Sequence, residues 1–263
     1  MFRNRKAVIG MVHLKPLRAA PGFRGDFEAV VKAALEDAKA LEEGGCDGIL
    51  VENLGDAPYY KDNVPASTIA DMSRILTHIR KRAKIPFGVN VLRNDALSAM
   101  AIAAAVDASF IRVNILSGAM LTDQGIIEGR AAELLRLRKQ LGADHILILA
   151  DASVKHAQPI GAKWPIEREA EDLKKRGLAD AVIVSGPATG AGASFQDILM
   201  VRDAVGKDFP VLIGSGLSVK NCRSMLEHTD GAIVGTSLKV DGSLENPVDI
   251  QRVRELVQAV REI

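Results

Sequence analysis

Asp151, Lys155 and His156 fall within one short segment, Asp151-Ala152-Ser153-Val154-Lys155-His156. A carboxylate can act as a base, an imidazole transfers protons near neutral pH, and an amine binds anions or forms an imine with a carbonyl group. Imine formation usually needs a buried, apolar setting that a loop does not demand, so anion binding is the better role for Lys155. We predict acid–base chemistry for Asp151 and His156. The alternative is a solvated loop with a structural aspartate.

Glu52 is a further candidate for acid–base chemistry, because it ends a short apolar run. It could act as a general base or bind a hydroxyl group, or it could form an ion pair with Arg93 or Arg112. His13, Glu52 and Asp151 could also converge as metal ligands, but no spacing motif supports such a site. We therefore assign no metal ligands and no cofactor, and leave a divalent metal open.

Two glycine-bearing segments are candidates for binding a phosphate group. Gly214-Ser215-Gly216 and Gly235-Thr236-Ser237 each follow an apolar run, and glycines let backbone N–H groups approach an anion closely. A third segment of small and hydroxyl-bearing residues begins at Ser185-Gly186 and includes Thr189 and Gly190. Tight turns alone would also explain these glycines, since one glycine-rich loop is a weak signal.

The elements that must position these residues include four short apolar runs, each opened by an aspartate followed by glycine or alanine. The runs cover residues 47–51, 107–111, 180–184 and 230–234. Runs this short, rich in Ile and Val, are typical of buried strands in a parallel sheet. Four further strands are predicted at residues 7–13, 86–91, 145–151 and 210–214. Predicted helices alternate with the strands at residues 27–42, 68–83, 96–105, 126–141, 167–176, 195–205, 219–227 and 248–262. The alternation predicts an α/β fold, a (β/α)8 TIM barrel of the phosphate-binding type, with residues 1–263 as a single domain.

In such a barrel the active rim is built from the C-terminal ends of the strands and the loops after them. Besides the candidates above, those positions hold His13, Asn53, Asn90, Arg93, Arg112, Asn114 and Lys239. The two glycine segments follow the seventh and eighth strands, where phosphate sites of these barrels commonly lie. The four run-opening aspartates lie at the opposite ends, so we predict that they cap or turn the chain into its strands.

Composition and charge argue against several classes of protein. The 263 residues carry a formal net charge of +1 and only 4% aromatic residues, which provide neither a basic field nor stacking platforms for nucleic acid. The two cysteines, Cys46 and Cys222, form neither a metal-ligand spacing nor a disulfide framework, which favours a reducing cytoplasm. No stretch suits a signal peptide or a transmembrane helix, so we expect a cytoplasmic protein, with peripheral membrane association left open. Barrels of this kind often pair through outer helices, so a homo-oligomer is the default expectation.

Several motifs resemble the BtpA/SgcQ family, in the same order and over nearly the whole chain. They cover residues 10–17, 47–53, 151–157, 184–186 with 189–190, 213–216 and 231–239. The family is named for a cyanobacterial thylakoid-associated protein needed for photosystem I accumulation, and it has members in bacteria and archaea that lack a photosystem. The resemblance implies a βα barrel related to phosphate-binding barrels of tryptophan biosynthesis. It carries over no catalytic residues.

The prediction for function is an enzyme, an isomerase, lyase or hydrolase, that acts on a small phosphorylated metabolite such as a sugar phosphate or nucleotide derivative. The phosphate would bind near the two glycine segments and Lys155, and Asp151, His156 or Glu52 would transfer protons. A non-catalytic biogenesis or stability factor for a membrane protein complex, photosystem I in phototrophs, is the alternative. A sensor of a phosphorylated ligand would use the same site as the enzyme, and fold alone does not separate these functions.

Overall fold

The chain closes a parallel β-barrel surrounded by helices in the computed structural model, which describes residues 5–161, 164–186 and 192–263. The strands in chain order are β1 (Ala7–His13), β2 (Gly48–Glu52), β3 (Phe87–Asn90), β4 (Phe110–Val113), β5 (Ala119–Thr122), β6 (Gly125–Glu128), β7 (Leu147–Ala152), β8 (Ala157–Pro159), β9 (Ala181–Val184), β10 (Val211–Ile213) and β11 (Gly231–Val234). The helices are α1 (Phe27–Glu43), α2 (Ala66–Arg80), α3 (Ala96–Val106), α4 (Ala131–Gln140), α5 (Ile166–Lys175), α6 (Phe195–Val205), α7 (Cys222–Leu226) and α8 (Ile250–Arg261). The barrel order is β1-β11-β10-β9-β7-β4-β3-β2, and neighbouring strands are parallel. The predicted (β/α)8 TIM barrel is confirmed.

Alternate residues of the barrel strands pack into two separate clusters, as the pleat of a strand requires. In β1, Ile9 and Met11 belong to the cluster inside the barrel, while Val8 and Val12 belong to the cluster shared with the surrounding helices. The interior cluster also contains Leu50, Phe110, Leu149, Ala181, Ile183, Leu212 and Ile233. These side chains fill the barrel, so a ligand cavity has to lie beyond them, at the end of the strands.

Side-chain caps set the start of several outer helices. The residue before the first helical turn accepts a backbone N–H from that turn in α1, α3, α6 and α8. The capping residues are Asp26, Asp95, Ser194 and Asp249. Such caps satisfy N–H groups that have no partner within the helix.

Three of the four run-opening aspartates make the same contacts at the N-terminal end of the barrel. Asp47, Asp180 and Asp230 each accept a backbone N–H from the neighbouring strand and also pair with a helix arginine. The N–H donors are Val8, Ile148 and Val211, each at 2.8 Å. The arginines are Arg261, Arg138 and Arg202. Asp107 instead ends α3 in the left-handed conformation, with φ of 57°. The predicted structural role of these aspartates is confirmed.

Residues 119–128 differ from the sequence-based prediction. The helix predicted over residues 126–141 begins only at Ala131, because β5 and β6 form a hairpin at Gly125, whose φ of 92° favours glycine. Together with β8 they make a small antiparallel sheet in the order β6-β5-β8. Ile127 is buried there beside Ile115 and Val154. These strands follow β4 and β7, so the small sheet stands at the C-terminal end of the barrel.

Candidate functional site

A polar layer lies directly above the interior cluster, with one residue at or directly after the C-terminal end of each barrel strand. Because inward positions alternate, the layer consists of the residues two places beyond the last inward apolar or glycine position of each strand. They are His13, Glu52, Asn90, Arg112, Asp151, Ser185, Gly214 and Gly235, all of them sequence-predicted rim residues. The two glycines directly follow the neighbouring strands β10 and β11. The layer therefore carries functional groups on one side and exposes backbone on the other.

A cavity of about 720 Å³, which we call the mouth cavity, lies above this layer and has the size of a small-ligand site. Its polar and glycine lining residues are His13, Glu52, Tyr59, Arg93, Arg112, Asn114, Asp123, Lys155, His156, Gly214, Ser215, Gly216, Ser218, Gly235, Thr236 and Ser237. All of these except Tyr59, Asp123 and Ser218 are residues that the sequence predicted for the site. The fold thus gathers most of the predicted residues around one opening.

Arg112 and Asp151 form a buried ion pair at the floor of the mouth cavity. The Nε and Nη2 atoms of Arg112 donate to the two carboxylate oxygens of Asp151 at 3.0 and 2.9 Å. Asn114 Nδ2 donates to the same carboxylate at 2.9 Å, and the Asp151 side chain is 0% exposed. Asp151 does not line the cavity. A carboxylate held by three donors is suited to orienting Arg112 and Asn114. Asp151 therefore does not reach the mouth cavity, where its predicted catalytic role would require it to contact a ligand.

His13 and Glu52 are register partners on β1 and β2. His13 Nε2 lies 4.0 Å from Glu52 Oε1, and the side chains are 8% and 9% exposed. Burial raises the pKa of Glu52, although the charges of Arg112 and Lys155 oppose the shift. Burial, followed by the charges of Lys239, Lys155 and Arg112, lowers the pKa of His13 to about 3. The imidazole is therefore neutral at physiological pH.

The two ring nitrogens of His13 have different surroundings. Nδ1 is buried and has no hydrogen-bond partner among the described residues. A buried donor without an acceptor is rarer than an acceptor without a donor, so we assign the proton to Nε2, on the side of Glu52. The 4.0 Å separation from Glu52 is too long for a hydrogen bond. One ligand oxygen could therefore contact both groups, which suits the pair to proton transfer.

Lys155 crosses the mouth cavity towards the end of β10. Its Nζ donates to the carbonyl oxygen of Gly214 at 3.0 Å, and the Arg93 guanidinium donates to the backbone carbonyl of Lys155. Burial, followed by the charge of Arg112, lowers the pKa of Lys155 to about 8, and nearby carboxylates offset only part of this effect. The neighbouring residue, His156, lines the cavity with a largely exposed side chain.

The loops after β10 and β11 supply backbone donors to the wall of the cavity. Within the described part of the chain, the amides of Gly216, Leu217, Gly235, Thr236 and Ser237 have no hydrogen-bond acceptor. Ser237 Oγ donates to the carbonyl of Leu217 at 2.8 Å, which ties the two loops together. Clustered backbone N–H groups of this kind form concave binding sites for anions.

Gly214 and Gly235 bring the backbone close to the polar layer. A Cβ atom at Gly214 would lie 2.2 Å from Ser185 Oγ, and one at Gly235 would lie 2.8 Å from His13 Cε1. Both distances are shorter than real Cβ contacts, so a side chain at either position would displace a residue of the layer. The two glycines therefore let the backbone approach the polar layer closely, in addition to forming the turns expected from sequence.

Asn53 and Asn90 do not line the mouth cavity but support residues that do. Asn53 Oδ1 accepts the backbone N–H of Leu92 at 2.7 Å. Asn90 Nδ2 donates to the carbonyl of Arg112 and to Oδ1 of Asn114, each at 3.2 Å. Both amides are buried and fix the walls of the site.

Lys239 does not reach the mouth cavity. Its Nζ donates to Asp37 of α1 at 2.6 Å, and Asp37 also accepts the backbone N–H of Val248 at 2.7 Å. Lys239 is 2% exposed. The side chain lies between the barrel and the outer helices, so the sequence-based assignment of Lys239 to the rim is corrected to a buried structural pair.

The segment after β9 contributes indirectly. Ser185 belongs to the polar layer, and its buried Oγ has no hydrogen-bond partner among the described residues. Gly186 donates its backbone N–H to Ser215 Oγ at 3.0 Å, so this amide is already used. The predicted ligand-binding residues Thr189 and Gly190 lie outside the described residues.

Sequence reasoning missed Tyr59, Asp123 and Ser218 in the lining. Tyr59 Oη donates to the carbonyl of Leu54 at 2.8 Å, and burial raises the pKa of Tyr59 to about 12. Both tyrosines of the chain, Tyr59 and Tyr60, lie in the loop after β2, and this clustering was the available signal. Asp123 sits in the unpredicted turn between β5 and β6, so its place could not be read from the helical pattern.

Neither a metal cluster nor a bilayer-spanning helix occurs in the described ranges. Across residues 5–161, 164–186 and 192–263, no three His, Cys, Asp or Glu side chains lie close enough to hold a metal ion. In particular, the Asp151 carboxylate is occupied by Arg112 and Asn114. No helix in this part of the chain is sufficiently long and apolar to cross a bilayer.

Among known sequences, the chain matches the model of the BtpA family over residues 4–262. An uncharacterised protein of Thermococcus kodakarensis is 47% identical over 260 residues, which cover 99% of this chain and 97% of the relative. The photosystem I biogenesis protein BtpA of Synechocystis is 44% identical over 261 residues, which cover 99% of this chain and 90% of that protein.

Comparison with solved structures finds barrel enzymes of low sequence identity. Thiamine phosphate pyrophosphorylase of Pyrococcus furiosus aligns with a TM-score of 0.60 at 15% identity and covers 98% of this chain and 96% of its own. N-(5'-phosphoribosyl)anthranilate isomerase of the same organism aligns with a TM-score of 0.59 at 15% identity, over 98% of this chain and 100% of its own. At this level of identity the likeness concerns the fold alone.

Proposed function

We propose an enzymatic function for this chain, which belongs to the BtpA family: binding of a small phosphorylated metabolite in the mouth cavity, with proton transfer by the residues of its floor. The observation that carries the proposal is the group of amides without acceptors in the described residues, at Gly216, Leu217 and Gly235–Ser237, on one wall of the cavity. They are contributed by the loops that most often bind phosphate in barrels of this type. Two enzymes with a similar fold have names that include a phosphorylated compound, which supports this ligand class.

Charge around the cavity suits a ligand with one anionic end. Arg93, Lys155 and His156 line the mouth beside the amides, while Asp123 and Glu52 are the acidic side chains of the lining. A phosphate bound by backbone donors keeps these side chains available for the rest of the ligand. A cavity of about 720 Å³ accommodates a sugar phosphate or a nucleotide derivative.

Proton transfer is assigned to Glu52, with His13 as a hydrogen-bond donor beside it. Burial raises the pKa of the Glu52 carboxyl, and the neutral His13 imidazole can donate from Nε2 to the same ligand atom. Paired groups with pKa values shifted by their surroundings are typical of catalytic sites. Reactions that need only such a pair include isomerisation, elimination and hydrolysis.

Calorimetric titration with matched ligand pairs tests the ligand class. Ribose 5-phosphate and adenosine monophosphate are compared with ribose and adenosine, and inorganic phosphate is included as the minimal anion. We expect binding of the phosphorylated members alone. Thr236→Asp places a carboxylate among the free amides and should weaken that binding at least tenfold, because the carboxylate repels and replaces the anion.

Ser224→Asp is the matched control, because Ser224 lies exposed on α7. This substitution introduces the same charge away from the cavity. It should leave binding unchanged. Equal affinity for phosphorylated and unphosphorylated ligands, or equal effects of the two substitutions, would contradict the proposal.

A non-catalytic role in the biogenesis of a membrane complex is the second candidate. It is favoured by the 44% identical relative named as a photosystem I biogenesis protein. A groove of about 1040 Å³ between the small antiparallel sheet and helices α4 and α5 offers a surface for a partner, with Trp164 and Leu178 exposed on it. Restoration of photosystem I by Thr236→Asp and Glu52→Gln variants in a phototroph lacking its own family member would favour this role, because neither variant alters the groove.

A further inference from the structure

We infer that Lys155 is a nucleophilic amine that forms an imine with the carbonyl group of a ligand held in the mouth cavity. The inference rests on the proposed function, because a phosphate bound at the loops after β10 and β11 would hold the remainder of the ligand beside this amine. It narrows the ligand class to phosphorylated aldehydes and ketones.

The contacts of Lys155 are those of an amine without a counter-ion. Its Nζ donates to a neutral acceptor, the carbonyl oxygen of Gly214, at 3.0 Å. Among the residues that the structure describes, Lys155 Nζ forms no ion pair, and the charges of Asp151 and Glu52 act on it without direct contact. Loss of the proton therefore breaks no salt bridge, and the carbonyl of Gly214 still receives one N–H from the neutral amine. Lys155 is in this respect unlike Lys239, which is fixed by Asp37.

The setting of Lys155 is half-buried and polar. Sequence reasoning favoured anion binding because a loop need not enclose a lysine, but here the loop after β7 folds over the polar layer. The Arg93 guanidinium binds the backbone carbonyl of Lys155 and fixes the loop in this position. The charged side chains that act on the amine come from several elements: Arg112 from β4, Glu52 from β2, and Asp151 from β7.

Electrostatics supports the reactivity that the contacts suggest. Burial, with Arg112 next, lowers the pKa of Lys155 to about 8, against an ordinary value of 10.5. About a tenth of the amine is then neutral at pH 7, compared with roughly one part in three thousand for an ordinary lysine. A lysine activated by burial and a neighbouring cation is the usual form of an imine-forming residue.

The reaction needs no group beyond those in the cavity. The neutral Nζ donates its lone pair to the carbonyl carbon, the C=O π pair moves to oxygen, and one proton passes from nitrogen to that oxygen. A second proton, supplied by the Glu52 carboxyl, converts the hydroxyl to water, which leaves as the nitrogen lone pair forms the C=N bond. The resulting iminium can return the remaining nitrogen proton to Glu52. Amine and carbonyl thus give imine and water, with no oxidant or reductant.

Borohydride trapping with pyridoxal 5'-phosphate and pyridoxal tests the inference on the unmodified chain. Both probes carry the same aldehyde, and only the first carries a phosphate. After brief incubation, reduction fixes any imine as a stable secondary amine, and peptide mapping by mass spectrometry locates it. We expect pyridoxal 5'-phosphate to label Lys155 at least tenfold faster than Lys139, an exposed lysine on α4.

Substitution and competition complete the test. Lys155→Arg keeps the charge and should abolish the fast labelling, whereas Lys139→Arg should leave it intact. Inorganic phosphate should slow labelling by pyridoxal 5'-phosphate and leave labelling by pyridoxal unchanged.

The outcomes separate this inference from the proposed function. Fast labelling of Lys155 by both probes at the same rate would support the nucleophilic amine and count against the phosphate site. Labelling of Lys155 no faster than that of Lys139 by either probe would overturn the inference, while the calorimetric result for phosphorylated ligands would stand independently.

Discussion

Arg112 and Asp151 hold each other through two parallel hydrogen bonds of 3.0 and 2.9 Å at the floor of the mouth cavity. The pair lies on adjacent barrel strands, β4 and β7, and is enclosed by the polar layer. A bidentate pair of this kind has a fixed orientation, so it presents the remaining face of the guanidinium to the cavity at a constant position. Asp151 is on this account a positioning residue, and Arg112 is the member that can touch a ligand.

Asp151→Asn should therefore act mainly on stability. The variant leaves the buried charge of Arg112 without its counter-ion, which costs about 3–5 kcal/mol of the free energy of unfolding. Urea denaturation measures the loss, with Asp144→Asn as the control, because the Lys139–Asp144 pair is exposed and should contribute less than about 0.5 kcal/mol. An Asp151→Asn variant as stable as the wild type, yet without turnover, would instead indicate a direct catalytic role.

His13 should make the protein sensitive to acid. Its pKa is lowered from 6.5 to about 3 in the folded state, so between these values the unfolded chain binds a proton that the folded protein does not. The stability linked to His13 is present above pH 6.5 and is lost as the pH falls towards 3, by about 2 kcal/mol between pH 7 and pH 5. His13→Gln should reduce the measured difference in unfolding free energy between these two pH values by that amount. An unchanged difference would mean that folding does not lower the pKa of His13, so that the imidazole is protonated at pH 5 in the folded protein.

Glu52 should change the pH dependence of stability in the opposite direction to His13. Its pKa is raised above 4.5 by burial, so the folded protein binds a proton more tightly than the unfolded chain. This group stabilises the fold below pH 4.5 and loses that contribution as the pH rises through the folded pKa. Glu52→Gln, which is neutral at every pH, should therefore raise the free energy of unfolding at pH 8 and change it little at pH 4, while abolishing turnover. A loss of stability at pH 8 would show that the ionised carboxylate is well stabilised by Arg112 and Lys155.

The repeated aspartates should differ in importance according to their contacts. Asp180 accepts the N–H of Ile148 and pairs with Arg138 at 2.7 Å, whereas Asp107 lies exposed at the end of α3. Asp180→Asn should lower the free energy of unfolding by about 1–2 kcal/mol, and Asp107→Asn, which keeps a residue suited to the left-handed conformation, by less than about 0.5 kcal/mol. Equal effects in thermal unfolding would refute the division between them.

The barrel could be predicted because its strands carry a strong local signal. The aspartate-led runs begin beside the observed strands, and inward positions alternate, so a short count from Leu50 or Leu149 leads to Glu52 or Asp151. The hairpin at residues 119–128 could not be predicted in this way. Ile126 and Ile127 continue the apolar spacing of α4, but they belong to β6, which pairs with β5 across the turn that ends at Gly125.

Roles within the site were harder to predict than its location, because burial and pairing depend on neighbours distant in sequence. Asp151 and Glu52 are both carboxylates at strand ends, yet one is saturated by Arg112 and Asn114 and the other faces the cavity. Lys239 follows the last strand as a rim residue would, but the chain turns there towards α1. Nothing in the local sequence distinguishes these cases.

The central claim is that the amides of the loops after β10 and β11 bind the phosphate of a small ligand. Titration of ¹⁵N-labelled protein with ribose 5-phosphate, followed by amide chemical shifts, tests it most directly. We expect the resonances of Gly216, Gly235 and Thr236 to move most and to saturate together, and ribose to leave them in place. Largest shifts elsewhere on the barrel, or equal shifts with ribose, would contradict the claim.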